Sequence, residues 1–132
     1  MNAFDDLDIA SESWAFKELQ GQDRWETTWT PTRTGWTDVG AITVLARFRV
    51  VGRSCEFQIK VTPATSIATT AGTSYFNLPV AATGYAGIVT MFNLTSNIAV
   101  GTGGIDAVNS RAYVPSQAAN AGPFAFYGRF EI

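Results

Sequence analysis

The chain has 132 residues, 46% of them hydrophobic, with 11 acidic and 9 basic side chains, one cysteine and no histidine. That length suits one domain, able to bury roughly two thirds of the surface its unfolded chain exposes. The missing histidine removes Ser-His-Asp and Cys-His catalysis and histidine metal sites, the single cysteine removes an intramolecular disulfide, and no run of eighteen apolar residues supplies a helical membrane span.

Charge divides the chain into two parts. Residues 1–26 carry seven acids against Lys17 and Arg24, a net of −5, whereas residues 27–132 carry four acids against Lys60 and six arginines, a net of +3. We therefore expect an N-terminal segment, residues 1–24, separate from a mildly basic body, residues 25–132. The basic excess of the body is too small and scattered for a nucleic-acid footprint. The opening MNAFDDLDIASESW is acidic where a secretory signal would be basic and then apolar, so export by that route is not expected. Ser11 is placed to cap a short helix over Glu12–Gln20, with Gly21 just past its end. Such a helix is too short to stand alone in water and must dock on its own body, another subunit or a larger assembly. Without that helix the segment is extended.

From Trp25 onward the signals are β. Trp25–Thr30 alternates and Pro31 closes it, and Trp14, Trp25, Trp29 and Trp36 place all four tryptophans in this first part of the chain. They serve either to cement the N-terminal segment to the body or as an aromatic ligand platform. Ile42–Val51 is a long strand, Val51-Gly52-Arg53-Ser54 a tight turn, and Cys55–Thr62 a strand with Cys55, Phe57, Ile59 and Val61 inward. In that period Cys55 reads as a small buried hydrophobe in preference to a reactive thiol. A polar stretch, PATSIATTAGTS, precedes a short strand at Tyr75–Leu78 ended by Pro79. Gly84–Asn93 follows as a strand with two apolar sets, Ala86, Ile88, Thr90 and Phe92 on one side and Tyr85, Gly87, Val89 and Met91 on the other. Asn97–Gly101, Gly104–Val108 and Arg111–Val114 are shorter candidates separated by turns, including Gly101–Gly104, and Phe124–Ile132 ends the chain. About eight short strands divided by Gly, Pro, Asn and Ser predict an all-β chain, an antiparallel β-sandwich of jelly-roll type.

One feature of composition points to function. No Asp, Glu, Lys or Arg occurs from Val61 to Ile105. Lone soluble domains usually charge their exposed strand faces, and charge depletion with retained aromatics marks the core of a protected interface. Solvated Thr/Ser/Gly loops are the competing explanation. We expect instead that another subunit covers a strand face here, with Tyr85, Val89, Met91 and Phe126 as interface residues.

Chemistry is sparse. The carboxylates of the body, Asp38, Glu56, Asp106 and Glu131, show no pairing in sequence and read as solvated or turn residues. Gly101–Gly104 lacks the Lys-Ser/Thr and helix of a phosphate loop. No catalytic residue, metal ligand or cofactor is expected, and the reading is non-enzymatic.

Trp29-Thr30-Pro31-Thr32, the Gly52-Arg53 hairpin with its strand ending Thr62-Pro63, Asn77-Leu78-Pro79, Arg111-Ala112-Tyr113-Val114-Pro115 and the closing Tyr127-Gly128-Arg129-Phe130-Glu131-Ile132 occur in order. Together they resemble the β-sandwich head modules of bacteriophage tail-fibre and virion-surface proteins, over roughly Trp29–Ile132. The resemblance implies a homotrimer on the virion exterior, made in the host cytoplasm, with residues 1–24 attaching it to other virion proteins and with possible contact to a host-surface glycan. Such heads usually end long fibre polypeptides, whereas Met1 here precedes the head by fewer than thirty residues. The expectation is a capsid decoration protein or a short fibre seated in an adaptor. The alternative from another class is a freestanding carbohydrate-binding module that stacks sugars on Trp36, Tyr75, Tyr85 or Tyr113.

Overall fold

The computed structural model describes residues 24–83 and 87–132. The expected helix after Ser11 and Tyr85 both lie outside these residues. Eleven strands follow one another: β1 (Arg33–Thr34), β2 (Thr37–Val39), β3 (Ile42–Val51), β4 (Ser54–Pro63), β5 (Ser66–Thr69), β6 (Tyr75–Asn77), β7 (Ile88–Asn93), β8 (Ile98–Asp106), β9 (Arg111–Tyr113), β10 (Gln117–Asn120) and β11 (Phe124–Glu131). The fold is all-β and antiparallel, as expected, with an eight-stranded sheet in the order β1-β6-β9-β8-β7-β11-β4-β3 and a three-stranded sheet β10-β5-β2. No helix occurs among the described residues.

The β3–β4 hairpin is the frame. Ten pairs run from Ile42↔Pro63 to Val51↔Ser54, closed by a two-residue connection whose first member, Gly52, has φ 61°, a conformation that glycine reaches without strain. Period-two alternation does the rest. Cys55, Phe57, Ile59 and Val61 point into the core and are buried, and β11 lays Phe124, Phe126 and Phe130 beside them. The inner faces of β4 and β11 thereby form a phenylalanine-rich floor.

The large sheet folds back over that floor at β8. The first part of β8 pairs with β7, from Asn93↔Ile98 to Ile88↔Gly104, and its last residues pair with β9, Ile105↔Ala112 and Asp106↔Arg111. Strand β6, two strands further on, thus lands opposite β4 and β11: Phe76 meets Phe57 at 5.6 Å and Phe126 at 6.0 Å between ring centroids. The Gly101–Gly104 stretch, expected as a turn, is the corner of a continuous strand. A register shift accompanies it opposite Met91 and Phe92, and a Cβ on Gly103 would sit 1.7 Å from the Tyr113 carbonyl oxygen. Glycine is required there for backbone approach across the bend.

Three further expectations are corrected. Trp25–Thr30 forms no named strand and is tied to β3 by a single bridge, Glu26↔Phe48. The strand expected at Gly84–Asn93 begins at Ile88. The polar PATSIATTAGTS contains strand β5, because Ile67 and Thr69 drop into the core while β2 and β10 pair on either side.

Candidate functional site

The inner face of the β3-β4-β11-β7 layer is consumed by the core, so function falls to its outer face. Register sets three rows across it. Arg49, Glu56, Arg129 and Ile88 form one, Arg47, Gln58, Tyr127 and Thr90 the next, and Leu45, Lys60, Ala125 and Phe92 the third. The β3–β4 side of this face is basic and polar. The β7 side is uncharged, with Ile88 58% exposed and Leu94, just past the strand, 38% exposed.

The segment before β1 closes one end of the basic half. The Glu26↔Phe48 bridge, with N–H···O distances of 2.7 and 3.0 Å, lays this segment along the free edge of β3. It places Trp25 outside, over the guanidinium groups of Arg47 and Arg49 at 4.4 and 4.6 Å from the ring centroid. It places Trp29 inside, edge-on to Phe48 and Phe57 at 6.0 Å each. Between Trp25 and Tyr127 lies a cavity of about 340 Å³ walled by Arg49, Glu56, Gln58, Thr90 and Arg129. A second of about 420 Å³, with Leu45, Lys60 and Leu94, shares Gln58 and Tyr127 with it. Both volumes fall in the range of ligand clefts, about 300–1,000 Å³. Arg49 donates to Glu56 at 2.8 Å, Arg47 donates to the amide oxygen of Gln58 at 2.9 Å through Nε, and Arg129 donates to the Ser54 hydroxyl at 3.1 Å. Glu56 and, at the end of β11 opposite Ser54, Glu131 are the carboxylates on this side of the face among the described residues, against Arg47, Arg49, Lys60 and Arg129.

The residues expected from sequence sit elsewhere. Tyr75 and Tyr113 are directly opposite on β6 and β9, ring centroids 5.4 Å apart, so the structure does bring this pair together. Arg111 covers the Tyr75 ring at 4.2 Å, which closes that face to stacking. Trp36, the third candidate platform, is partly buried against Phe126 at 5.5 Å, donates its indole N–H to the Tyr75 carbonyl at 3.1 Å and has Arg33 over its ring at 5.2 Å. It is a packing residue. The expected interface residues Val89, Met91 and Phe126 are corrected for the same reason of side: all three are 0% exposed inside the chain's own core. The outward members of β7 are Ile88, Thr90 and Phe92. Gln58, Tyr127 and the arginines were not singled out beforehand, and Trp25 only as one of the four tryptophans weighed as an aromatic platform. The outward partners of the hairpin were legible in its alternation, since the turn fixes Arg49 opposite Glu56 and Arg47 opposite Gln58, but nothing in sequence places Trp25 over them.

The remaining groups have structural work. Asp38 makes a two-pronged bond with Arg33, 2.7 and 2.9 Å. Asp106 accepts from the Asn109 side chain at 2.9 Å and the Asn109 amide at 3.1 Å. These bonds, the side-chain one foremost, hold its carboxyl below the usual carboxylate range. Its contribution to stability is therefore present above the unfolded carboxylate pKa and lost as pH falls through the lowered folded value. Burial, with a smaller push from Glu56, raises the Cys55 thiol to about 12. The folded chain keeps that proton after the unfolded chain has lost it, so the contribution is complete below about 9 and disappears as pH rises toward about 12. We expect native Cys55 to resist iodoacetamide at pH 8 over hours and to react within minutes in denaturant, as mass spectrometry would read. We also expect Cys55→Ala to flatten the alkaline loss of stability above pH 9.

No protein-family model, curated protein or solved structure matches this chain.

Proposed function

We propose that this chain is a non-enzymatic structural protein of a bacteriophage virion, a homotrimeric head on the particle exterior that contributes to host-surface attachment. The observation that supports it best is the surface position of part of the uncharged stretch of the chain. The residues from Val61 to Ile105 do not simply fill the core. On the outer face of β7 they leave Ile88 58% and, just past the strand, Leu94 38% exposed, with Phe92 half-buried between them and no charge among the three. An apolar strand surface of this kind in a single chain marks a protein–protein contact, and a second copy is the partner always present. Residues 1–24 attach the head to other virion proteins in this reading.

Light scattering on the eluting peak tests it. Three times the chain mass at micromolar concentration is expected. In Ile88→Lys the new ammonium would be buried in the contact beside the like charge of Arg129, weakening association by on the order of 100-fold or more. A wild-type chain that is strictly monomeric at those concentrations refutes the trimer, and a monomer that still binds sugar identifies a freestanding carbohydrate-binding module.

A further inference from the structure

We propose that the cleft between Trp25 and Tyr127 binds a carboxylate-bearing saccharide. It rests on the attachment reading only in taking the ligand from a host surface; the chemistry stands on the cleft itself.

The wall residues, with Arg47 of the adjoining cavity stacked on Trp25, supply the three things such a ligand needs. Cations come first. Arg47 is held by a neutral amide at 2.9 Å and Arg129 by a neutral hydroxyl at 3.1 Å, so neither has a carboxylate partner among the described residues. Glu56 is matched by Arg49 at 2.8 Å. Two guanidinium groups within 4.6 Å of one indole repel each other, and an anion arriving between the rows relieves that repulsion. Guanidinium geometry suits a carboxylate, which accepts two parallel N–H donors. A platform comes second: Tyr127 is 46% exposed, with its ring steadied edge-on by Phe92 at 5.6 Å, and it offers an apolar surface for the C–H face of a pyranose. Hydroxyl partners come third, from Gln58 and Thr90 at the floor.

An acidic peptide shares the carboxylate but not the fit. An extended peptide gains most of its affinity from main-chain pairing at an open sheet edge, and the floor of this cleft is the face of strands already paired on both sides, β4 and β11. Saccharide hydroxyls need only side-chain partners, which the face provides.

Calorimetric titration of the full chain with trigalacturonate, sialyllactose, a neutral trisaccharide and tetraglutamate decides among these. At least one of the two acidic sugars is expected to bind, with the neutral sugar and the peptide at least about tenfold weaker. Arg47→Gln and Arg129→Gln should each weaken the acidic sugar about tenfold. Arg53→Gln removes the same charge from the hairpin tip, outside both cavities, and should leave affinity within twofold. Circular dichroism on each variant checks that these surface changes leave the fold intact. Binding of neither acidic sugar overturns the proposal. So does tetraglutamate binding as tightly, or Arg53→Gln weakening binding as much as the cleft variants. Light scattering on the same samples separates the two readings: a trimer that ignores both acidic sugars refutes the ligand alone, and a monomer that binds one refutes the trimer alone.

Discussion

Gly128→Ala is expected to destabilise this chain by about 3 kcal/mol, the upper part of the range for overpacked cores. Gly128 lies opposite Phe57 across β11 and β4. A Cβ there would fall 1.9, 2.3 and 2.6 Å from three atoms of the Phe57 ring, well inside van der Waals contact. The ring cannot step aside, because Trp29, Phe76 and Phe130 hold it at centroid distances of 6.0, 5.6 and 6.1 Å. One methyl group thus forces either β11 away from β4 or four aromatic rings out of register. Total stabilities of about 5–15 kcal/mol leave limited room for such a loss. Urea unfolding should show a lower midpoint at unchanged slope. Phe57→Leu in the same chain shortens the obstructing group, so the double variant should lose less than the sum of the singles. A Gly128→Ala chain with the wild-type midpoint would mean that Phe57 does not rest on this glycine.

The same pair shows what the sequence could and could not convey. Cys55–Thr62 carries one apolar face, so alternation alone assigned Cys55, Phe57, Ile59 and Val61 inward, and all four are buried as that pattern requires, whereas Phe126, expected at a subunit contact, is buried with Phe124 and Phe130 on β11. β7 has two apolar faces. Alternation there cannot choose a side, and the choice comes from register: Gly128↔Val89 and Phe126↔Met91 carry the inward parity of β11 onto β7. That is why Val89 and Met91 belong to the core and why the uncovered set is Ile88, Thr90 and Phe92. Strand β5 was hidden for a different reason. Ile67 is its only large apolar residue, and its pairing is supplied by β2 and β10, which lie far away in sequence. The cleft was half visible. Its arginines and Gln58 stand on the outward face of the most regular hairpin, but the Trp25 wall depends on a single backbone bridge at Glu26, a long-range contact with no local signature.

Glycine in this chain also separates two uses that look alike in sequence. Gly52 is a turn glycine, with φ 61° and open space where a Cβ would go, so Gly52→Ala would cost only conformational strain. Gly103 and Gly128 are packing glycines inside strands: Gly103 lets β8 approach the Tyr113 carbonyl at the corner of the sheet, and Gly128 seats the Phe57 ring of the neighbouring strand β4.

The second large effect falls on Trp29. Trp29→Ala is expected to cost about 3–5 kcal/mol, as for other large aromatics removed from a core. The indole fills the space between Phe48, Phe57 and Phe76, at 6.0, 6.0 and 6.3 Å. Its Nε1–H is buried with no hydrogen-bond partner among the described residues. An unmet buried donor costs roughly 1–3 kcal/mol, so Trp29→Phe, which removes that donor along with part of the ring, should shift stability by less than about 1 kcal/mol. The contrast between the two variants distinguishes loss of packing from loss of the indole nitrogen, and thermal unfolding measures both. Beyond stability, Trp29 and the Glu26 bridge are what hold residues 24–31 to the edge of β3. Trp29→Ala should therefore release Trp25 from Arg47 and Arg49 and open one end of the cleft, with affinity for an acidic sugar falling about tenfold even at temperatures where the sheet remains folded. Trp29→Phe should keep that affinity. Equal binding by the alanine and phenylalanine variants would show that the Trp25 wall stands without its neighbour in the core.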